Sequence, residues 1–209
     1  MRLGVLFMVL SGLVLVAACG NPATNKSQAV TGEATKATSP QTAGAQTYPI
    51  TPEHCKIEFI GSKVTGSHHG SFQKFSGQIH YTGDPTTSHV TITMDASSIT
   101  TDDPKLTEHL KTADFFDVAK FPEVKFESVS IKPGGDKGAS HTVTGNLTMH
   151  GVTKSVTFPA TIAATADAIT VNSDFAVNRK DFGINYAGAA DNLIRDEVVL
   201  KLTLHSPKS

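Results

Sequence analysis

Between residues 48 and 209, apolar residues alternate with polar ones in eight separate segments, and this alternation limits the fold more than any other feature of the sequence. A period of two residues is that of a β-strand with one buried face. The clearest segment has Val90, Ile92 and Met94 on one face and polar side chains between them. No segment is apolar on both faces, as a parallel strand would be. We therefore predict an all-β fold, an eight-stranded antiparallel barrel, with a β-sandwich as the alternative.

One short helical segment interrupts the strands, beginning near Thr107. Good helix formers follow Thr107, and Pro122 prevents the helix from continuing. Phe115 and Phe116 place aromatic surface at the end of about two helical turns. Because so short a helix is not stable alone, we predict that this end is buried as a cap or flank of the barrel. The alternative is a crossover helix that covers a sandwich. The stretch from Gly66 to Gly70 is predicted as a turn between the first two strands.

Residues 1–18 have the pattern of a secretory signal, with Arg2 before an apolar run too short to span a bilayer. Its end, Val16-Ala17-Ala18-Cys19, resembles a bacterial lipobox. That resemblance implies cleavage before Cys19 and acylation of Cys19, palmitate included, which would anchor the protein to a membrane. The expected location is a bacterial cell envelope, facing the periplasm or the cell surface. An ordinary signal peptide is the alternative.

Residues 19–47 are predicted to be the lipidated Cys and a disordered tether, and residues 48–209 the folded domain. Of the 28 residues from Gly20 to Thr47, 24 are Gly, Ala, Ser, Thr, Asn, Gln or Pro. Such a segment buries too little apolar surface to offset its ordering entropy. A flexible chain of this length spans on the order of 30 Å.

Composition excludes several classes of function. Without residues 1–18 the chain has 17 basic and 19 acidic residues, so it has no basic surface typical of nucleic-acid binding. Cys55 is the only cysteine left besides Cys19, and we expect it to be buried as a small apolar residue. The chain lacks G-x-S-x-G, H-E-x-x-H and C-x-x-C, and the S-x-x-K match at residues 71–74 lacks its companion motifs. We predict no enzyme activity, no cofactor and no metal site.

The apolar faces of eight strands enclose either a packed core or a ligand cavity. Small residues fall at inward positions and the chain has no Trp, which would leave room; these residues are Gly77, Ala96, Gly145, Ala160 and Ser173. From the residues alone, both alternatives stay open.

Several motifs occur in a fixed order along the domain. They are His54, Ile57 and Phe59; Phe72 to Gly77; Asp95 to Ile99; His109 to Asp117; Lys120-Phe121-Pro122 with Phe126 and Ser128; Val143 to Thr153; and Arg179, Asp181, Phe182, Gly183 and Ile184. With this pattern the chain resembles the YceI-like family of exported polyisoprenoid-binding proteins. The resemblance implies a lipocalin-like barrel whose apolar interior holds a long isoprenoid lipid or a similar amphiphile. Cys55, Ser155 and the turn around His68 and His69 depart from the usual family pattern.

The function implied by this resemblance is the binding and sequestration or transport of such a lipid. The residues predicted to line the lumen are Phe75, Ile79, Ile92, Met94, Phe126, Leu147, Met149, Phe158, Val171, Phe175, Leu200 and Leu202, with Phe115 and Phe116 sealing one end. Their alternative role is core packing. His109, Arg179 and Lys180 are candidates for contact with a polar or phosphorylated head group, with loop and turn hydrogen bonding as the alternative. The competing function is that of a structural or interaction lipoprotein with a packed barrel and no ligand; a homodimer is left open.

Overall fold

The computed structural model of the protein describes residues 20–36 and 44–208. The predicted signal peptide, Cys19 and residues 37–43 of the predicted tether lie outside the described residues.

Strands dominate the described residues, which contain fifteen strands and one α-helix. The strands are β1 (Ser27–Gln28), β2 (Val30–Glu33), β3 (Gln46–Ile50), β4 (Lys56–Lys63), β5 (Gly66–Phe72), β6 (Phe75–Tyr81), β7 (His89–Asp95), β8 (Ile99–Thr101), β9 (Glu123–Pro133), β10 (His141–Met149), β11 (Val152–Ala164), β12 (Ala168–Asn178), β13 (Gly188–Ala189), β14 (Asn192–Leu193) and β15 (Glu197–Pro207). The helix α1 is Pro104–Leu110. Short 3₁₀ turns occupy Pro85–Thr87, Ala96–Ser98, Asp136–Gly138 and Arg179–Phe182.

Six of these strands form three longer, interrupted strands of a barrel. Strands β5 and β6 are separated only by Gln73 and Lys74, and hydrogen bonds to Ser98 and Asp95 carry the ladder past the break. The partners β8 and β7 are interrupted in the same way by the 3₁₀ turn at Ala96–Ser98. The third interrupted strand consists of β3 and β4: on the other side of β5 and β6, β4 pairs with β5 and β3 pairs with β6.

Counted in this way, eight antiparallel strands follow one another around the barrel. From β7 the ladder continues through β9, β10, β11, β12 and β15, and β15 pairs with β4 to complete the circuit. The predicted eight-stranded antiparallel barrel with one short helix is confirmed. The prediction of a turn at Gly66–Gly70 is wrong, because this segment is most of β5. Its small polar side chains lack the apolar alternation that marks the other strands.

The helix begins earlier and ends earlier than the sequence predicts. Asp103 caps it by accepting hydrogen bonds from the amides of Lys105 and Leu106, and Pro104 fits the first helical position. Phe115 and Phe116 lie in the turns after the helix rather than at its end. Phe115 is buried, as predicted for this aromatic end. No helix within the described parts of the chain is long and apolar enough to span a bilayer.

The prediction of a disordered tether is wrong for residues 27–33. Strands β11 and β12 pair directly only over Thr161–Ala164 and Ile169–Asn172, and then diverge. Between them, β1 pairs in parallel with β12 and β2 pairs antiparallel with β11. Composition suggested disorder because the segment has little apolar surface of its own. Its backbone is instead ordered by two strand edges that would otherwise have no hydrogen-bond partners.

Polar contacts also hold this N-terminal segment on the barrel wall. Lys26 forms an ion pair with Asp174, and Glu33 pairs with Lys154 at 2.7 Å. The Thr31 hydroxyl donates to Asp181 at 2.5 Å, and Asn146 bonds both the amide and the carbonyl of Thr35. Ala23 is 1% exposed. The N-terminal segment is therefore part of the folded domain, which begins well before residue 48.

Candidate functional site

The barrel encloses an apolar cavity of ≈ 110 Å³ between its strands, here called the barrel cavity. Every lining residue is aliphatic, Phe or Met, and all of them lie on strands. A cavity of about 10–15 Å³ is enough for one water molecule, but a site without polar partners does not hold water well. The residues that line it are Ile57, Phe72, Val90, Ile92, Met94, Val124, Phe126, Ile131, Val143, Leu147, Met149, Val156, Phe158, Ile162, Val171, Phe175, Leu200, Leu202 and Leu204.

A second cavity, of ≈ 120 Å³, lies where one end of the barrel meets α1 and the connection after β12; we call it the loop-side cavity. Its walls are mostly apolar but include charged side chains. The lining residues are Phe59, Gly61, Ser62, Lys63, His68, Phe72, Leu106, Leu110, Phe115, Phe116, Met149, Val177, Arg179, Ile184, Ile194, Arg195, Val198 and Leu200.

Three side chains line both cavities: Phe72, Met149 and Leu200. They form the partition between the two spaces. Met149 and Leu200 are only partly buried although they face the interior, because the surface they keep faces the cavities. A Met side chain is unbranched and changes shape easily, so this partition can adapt to a molecule that extends through both cavities.

Three aromatic rings that pack on one another form part of the wall of the barrel cavity. Phe158 on β11 stacks against Phe175 on β12, with ring centroids 4.2 Å apart and planes 6° from parallel. Phe126 packs against Phe158 at 5.8 Å. Phe158 and Phe175 lie just beyond the paired part of β11 and β12, where the two strands diverge.

The structure places twelve of the fourteen predicted lumen and end-sealing residues next to a cavity. They are Ile92, Met94, Phe115, Phe116, Phe126, Leu147, Met149, Phe158, Val171, Phe175, Leu200 and Leu202. Phe75 and Ile79 are buried but line neither cavity. They follow the break between β5 and β6 and belong to the cluster of buried core residues. Contact of any of these residues with a ligand stays a prediction.

Sequence analysis missed several lining residues, including Ile57, Phe59 and Phe72. The first two lie at alternate positions of the first predicted strand, so the period of two could have identified them. Phe72 lies in β5, which was predicted as a turn followed by a motif, and no alternation marked it. The residues of the connection after β12, such as Ile184 and Ile194, could not be found by periodicity.

The small inward residues that suggested an unfilled interior do not border the two cavities. A Cβ on Gly145 would lie 2.4 Å from the Phe126 ring, and one on Gly77 would lie 2.3 Å from the Thr91 carbonyl oxygen. Neighbouring atoms already fill those sites, and none of the five small inward residues lines either cavity. Gly61 is different, because it lines the loop-side cavity and a Cβ there would meet no atom within 4 Å.

The three head-group candidates already have partners within the described chain. Arg179, which is 4% exposed, donates to the carbonyl oxygens of Ile184 at 2.6 Å and Arg195 at 3.1 Å, and lies 3.4 Å from Asp196. Burial lowers the pKa of the Arg179 guanidinium, and the nearby Asp196 carboxylate opposes this shift. Of the three, only Arg179 lines the loop-side cavity.

The other two candidates are paired at the surface. Lys180 lies 2.9 Å from Asp196, and His109 lies 2.8 Å from Asp114 and packs against Phe115. Contact of these three residues with a head group therefore stays a prediction, and the loop and turn bonding named as their alternative is present in the structure.

Side chains of the types that often bind metal ions are not grouped in the described parts of the chain. No group of three or more His, Cys, Asp or Glu side chains in ranges 20–36 and 44–208 could hold a metal ion. Cys55 is buried and its thiol donates to the His205 carbonyl oxygen at 3.7 Å, so its predicted burial is confirmed. His68 lines the loop-side cavity but is hydrogen-bonded to Asp102. The hydrogen bond from the His69 amide, with others from His68, keeps the pKa of Asp102 below its ordinary value.

An eight-stranded antiparallel barrel that encloses apolar cavities and carries a helix near one end defines a lipocalin-like barrel. Comparison of the sequence with protein families gives a more specific result. The model described as the YceI-like domain matches residues 48–206, so the chain belongs to the YceI-like family.

Relatives and solved structures agree with this assignment. The chain is 36% identical to a UPF0312 protein of Pseudomonas putida over 146 residues, which are 66% of this chain and 73% of the relative. A UPF0312 protein of Pseudomonas fluorescens is 32% identical over 157 residues, 71% of this chain and 81% of the relative. The crystal structure of BcnA from Burkholderia cenocepacia has 25% identity and a TM-score of 0.65, covering 75% of this chain and 98% of that one.

A domain from Saccharophagus degradans described as polyisoprenoid-binding shares the fold at a lower identity. Its TM-score is 0.62 at 15% identity, covering 79% of this chain and 99% of that domain.

Proposed function

We propose that this protein binds a polyisoprenoid or a similar long-chain amphiphilic lipid inside the barrel, and that it sequesters or transports this lipid in the cell envelope. The observation that carries the proposal is the barrel cavity, which is lined only by aliphatic residues, Phe and Met. Moving a hydrocarbon chain from water into such a space is favourable by about 0.8 kcal/mol per methylene. Burial alone accounts for this function, so no catalytic step is required.

The shape of the interior favours a long chain over a compact ligand. The barrel cavity and the loop-side cavity meet at Phe72, Met149 and Leu200, so a chain that displaces these side chains passes from one space into the other. The Saccharophagus degradans domain shares this barrel, and its description names a polyisoprenoid. The class of ligand proposed here rests on the apolar lining together with that shared fold.

The cell-envelope part of the proposal rests on the N-terminal sequence. We propose that residues 1–18 are removed on export and that Cys19 is acylated, which would place the barrel at a membrane from which it can receive lipid. Hydrocarbon moved directly from a bilayer into the barrel avoids exposure to water. Palmitate labelling of the wild-type protein, compared with a Cys19→Ser variant, tests this part separately.

A substitution at Gly61 tests lipid carriage. Gly61→Leu projects a side chain into the loop-side cavity without meeting other atoms, so we expect a folded protein with less room for the lipid. Wild-type and variant proteins are purified without added detergent and extracted with organic solvent, and the extracts are analysed by mass spectrometry. The wild type should yield a long-chain lipid in a nearly equimolar amount, and Gly61→Leu should yield several-fold less.

The matched control is Gly32→Leu, which adds the same side chain at an exposed position of β2 where a Cβ also meets no atom. It should retain the lipid content of the wild type. A lipid-free extract from wild-type protein, together with no uptake of added long-chain lipid, would contradict the proposal and favour a structural lipoprotein with an empty barrel.

A further inference from the structure

The wall of the loop-side cavity includes basic residues, but the surface that it presents to the cavity is almost wholly apolar, so these residues line it mainly through their carbon atoms. Four of its lining residues are basic: Lys63, His68, Arg179 and Arg195. Asp102 is hydrogen-bonded to His68, and Asp196 lies 3.4 Å from Arg179. In the part of the chain that the structure describes, the side chains of Lys63 and Arg195 have neither an ion pair nor a hydrogen bond. The two cations are therefore not neutralised by the protein.

Lys63 lies at the end of the inward face of β4. Phe59 and Gly61, four and two residues earlier, line the same cavity, and side chains along a strand alternate between faces. A bridge to Ile194 holds the backbone of Lys63 in place. Lys63 lines the cavity and is also partly exposed, so this residue lies where the cavity wall meets solvent.

Arg195 is held beside Lys63 by its main chain. Its amide donates to the Ser62 carbonyl oxygen at 2.8 Å, and its own carbonyl accepts from Arg179 at 3.1 Å. Its Nε atom is buried and has no hydrogen-bond partner. A buried donor without an acceptor is unfavourable, and an oxygen atom of a ligand would supply the missing acceptor.

We propose that Lys63 and Arg195 bind the anionic head group of an amphiphile whose hydrocarbon chain extends into the barrel cavity. The shared chemistry is that of negatively charged acceptor oxygens, as in a phosphate or a carboxylate. The barrel cavity has no charged or polar lining residue, which fixes the orientation: chain inward, head toward α1 and the connection after β12. This inference rests on the proposed function and adds the sign of the head-group charge and the residues that recognise it.

Matched probes of equal chain length test the inference. Geranylgeranyl phosphate and geranylgeraniol differ only in the head group, and geranylgeranoic acid separates a phosphate from a carboxylate. Their affinities are measured by titration of the full chain carrying Cys19→Ser, which prevents acylation. We expect the phosphate to bind at least about tenfold more tightly than the alcohol, as charge-assisted hydrogen bonds do relative to neutral ones. This preference should shrink as ionic strength rises.

Two variants test whether Lys63 and Arg195 cause the preference for the phosphate over the alcohol. Lys63→Gln and Arg195→Gln should each lower the ratio of phosphate affinity to alcohol affinity by about tenfold. Lys125→Gln is the control, because Lys125 is exposed, pairs with Glu123 at 2.7 Å and lines neither cavity. It should leave both affinities unchanged. A circular dichroism spectrum and a melting temperature close to those of the wild type show that each variant is folded.

The outcomes separate this inference from the proposed function. Tight binding of the phosphate or of the acid that is weakened in both variants supports the anionic site. The probe that binds more tightly shows whether the site prefers a phosphate or a carboxylate. Equal affinity for alcohol and phosphate in the wild type would overturn the head-group site and leave lipid carriage intact. Equal weakening of all probes in Lys63→Gln would overturn it as well, and failure of every probe to bind the wild type would overturn both proposals.

Discussion

At the scale of single residues, Arg179 holds together the connection that walls the loop-side cavity. Its guanidinium is nearly inaccessible to solvent and bonds carbonyl oxygens on both sides of that connection, at Ile184 and at Arg195. These carbonyls belong to irregular backbone that has few partners of its own. Arg179 thus supplies hydrogen-bond donors to main-chain carbonyl oxygens of this connection, which a strand would receive from its neighbour.

Replacing Arg179 should therefore cost stability. Arg179→Gln leaves buried carbonyl oxygens without donors, and we expect the free energy of unfolding to fall by about 3 kcal/mol or more. Lys180→Gln is the matched control at the neighbouring exposed position, where loss of an ion pair with Asp196 should change stability by less than about 1 kcal/mol. Urea denaturation of the two variants measures the difference, and similar losses in both would contradict a structural role for Arg179.

The basic residues also show what a sequence can and cannot reveal about a site. Arg179 could be noticed as a cation after a strand, but no pattern of residues indicated that main-chain carbonyl oxygens accept its hydrogen bonds. Lys63 and Arg195 carried no motif, and they meet only because the backbone near residue 194 bridges to β4. Pairing partners of a charge depend on long-range contacts, which periodicity does not encode.

At the scale of elements, the N-terminal strands complete a wall that the barrel leaves open. β11 and β12 are thirteen and eleven residues long but share only four directly paired positions. β1 and β2 occupy the space where the two strands diverge, and Ser27 is buried there, whereas Ala23 is buried against Ala176 of β12 and Val199 of β15. The barrel wall on this side is thus made of three chain segments.

Breaking β2 should expose the edges of its neighbours. A Pro at residue 31 is poorly compatible with a paired strand, so Thr31→Pro should detach the segment and lower the free energy of unfolding by about 1–3 kcal/mol. Hydrogen exchange measured by mass spectrometry should then become faster in peptides covering residues 154–157, which pair with β2.

Ala34→Pro is the control, since Ala34 follows the last residue of β2 and is exposed. It should leave the exchange of residues 154–157 unchanged. Rapid exchange of these residues already in the wild-type protein would mean that β2 is not stably paired in solution.

The elements with strong alternation were predictable, and those without it were not. β7, β10, β11 and β15 have regular apolar faces, and their existence followed from the sequence. β5 is rich in Gly, Ser and His, and β1 and β2 have almost no apolar residues. These strands are stabilised by neighbouring edges, so composition pointed to a turn and a tether instead.

At the scale of the whole molecule, the barrel has an interior that its own side chains do not fill. Unfilled apolar space costs stability because the lining atoms lose contacts. A bound hydrocarbon restores those contacts, and a ligand that binds only the folded state raises its stability by about 2.7 kcal/mol at a free concentration of 100 times its Kd.

Removal of lipid should therefore lower the melting temperature. Protein refolded from urea after solvent extraction should melt several degrees below the protein as purified, since about 1 kcal/mol corresponds to about 2–4 °C for a domain of this size. Adding geranylgeraniol should restore the difference, as followed by circular dichroism during heating. Gly61→Leu, whose cavity is partly filled, should respond less, and an identical melting temperature with and without lipid would argue against an interior ligand.

Whether the interior was filled or hollow could not be decided from the sequence, although the barrel itself could. The period of two identifies which residues face inward, but it does not give the distance between side chains on opposite walls of the barrel. Gly145 and Gly77, which suggested space, are covered by neighbouring atoms, whereas Gly61 borders a cavity. Only the packing of the complete barrel distinguishes these glycines.

The docked N-terminal segment has one consequence for how the protein would stand on a lipid surface. If Cys19 carries acyl chains, only a few residues separate it from Ala23, which is already fixed against the barrel. The domain would then rest close to the bilayer with the side formed by β12 and β15 turned toward it, because no long flexible segment would separate it from the membrane. Delivery or pickup of cargo would take place at short range and from a restricted set of angles.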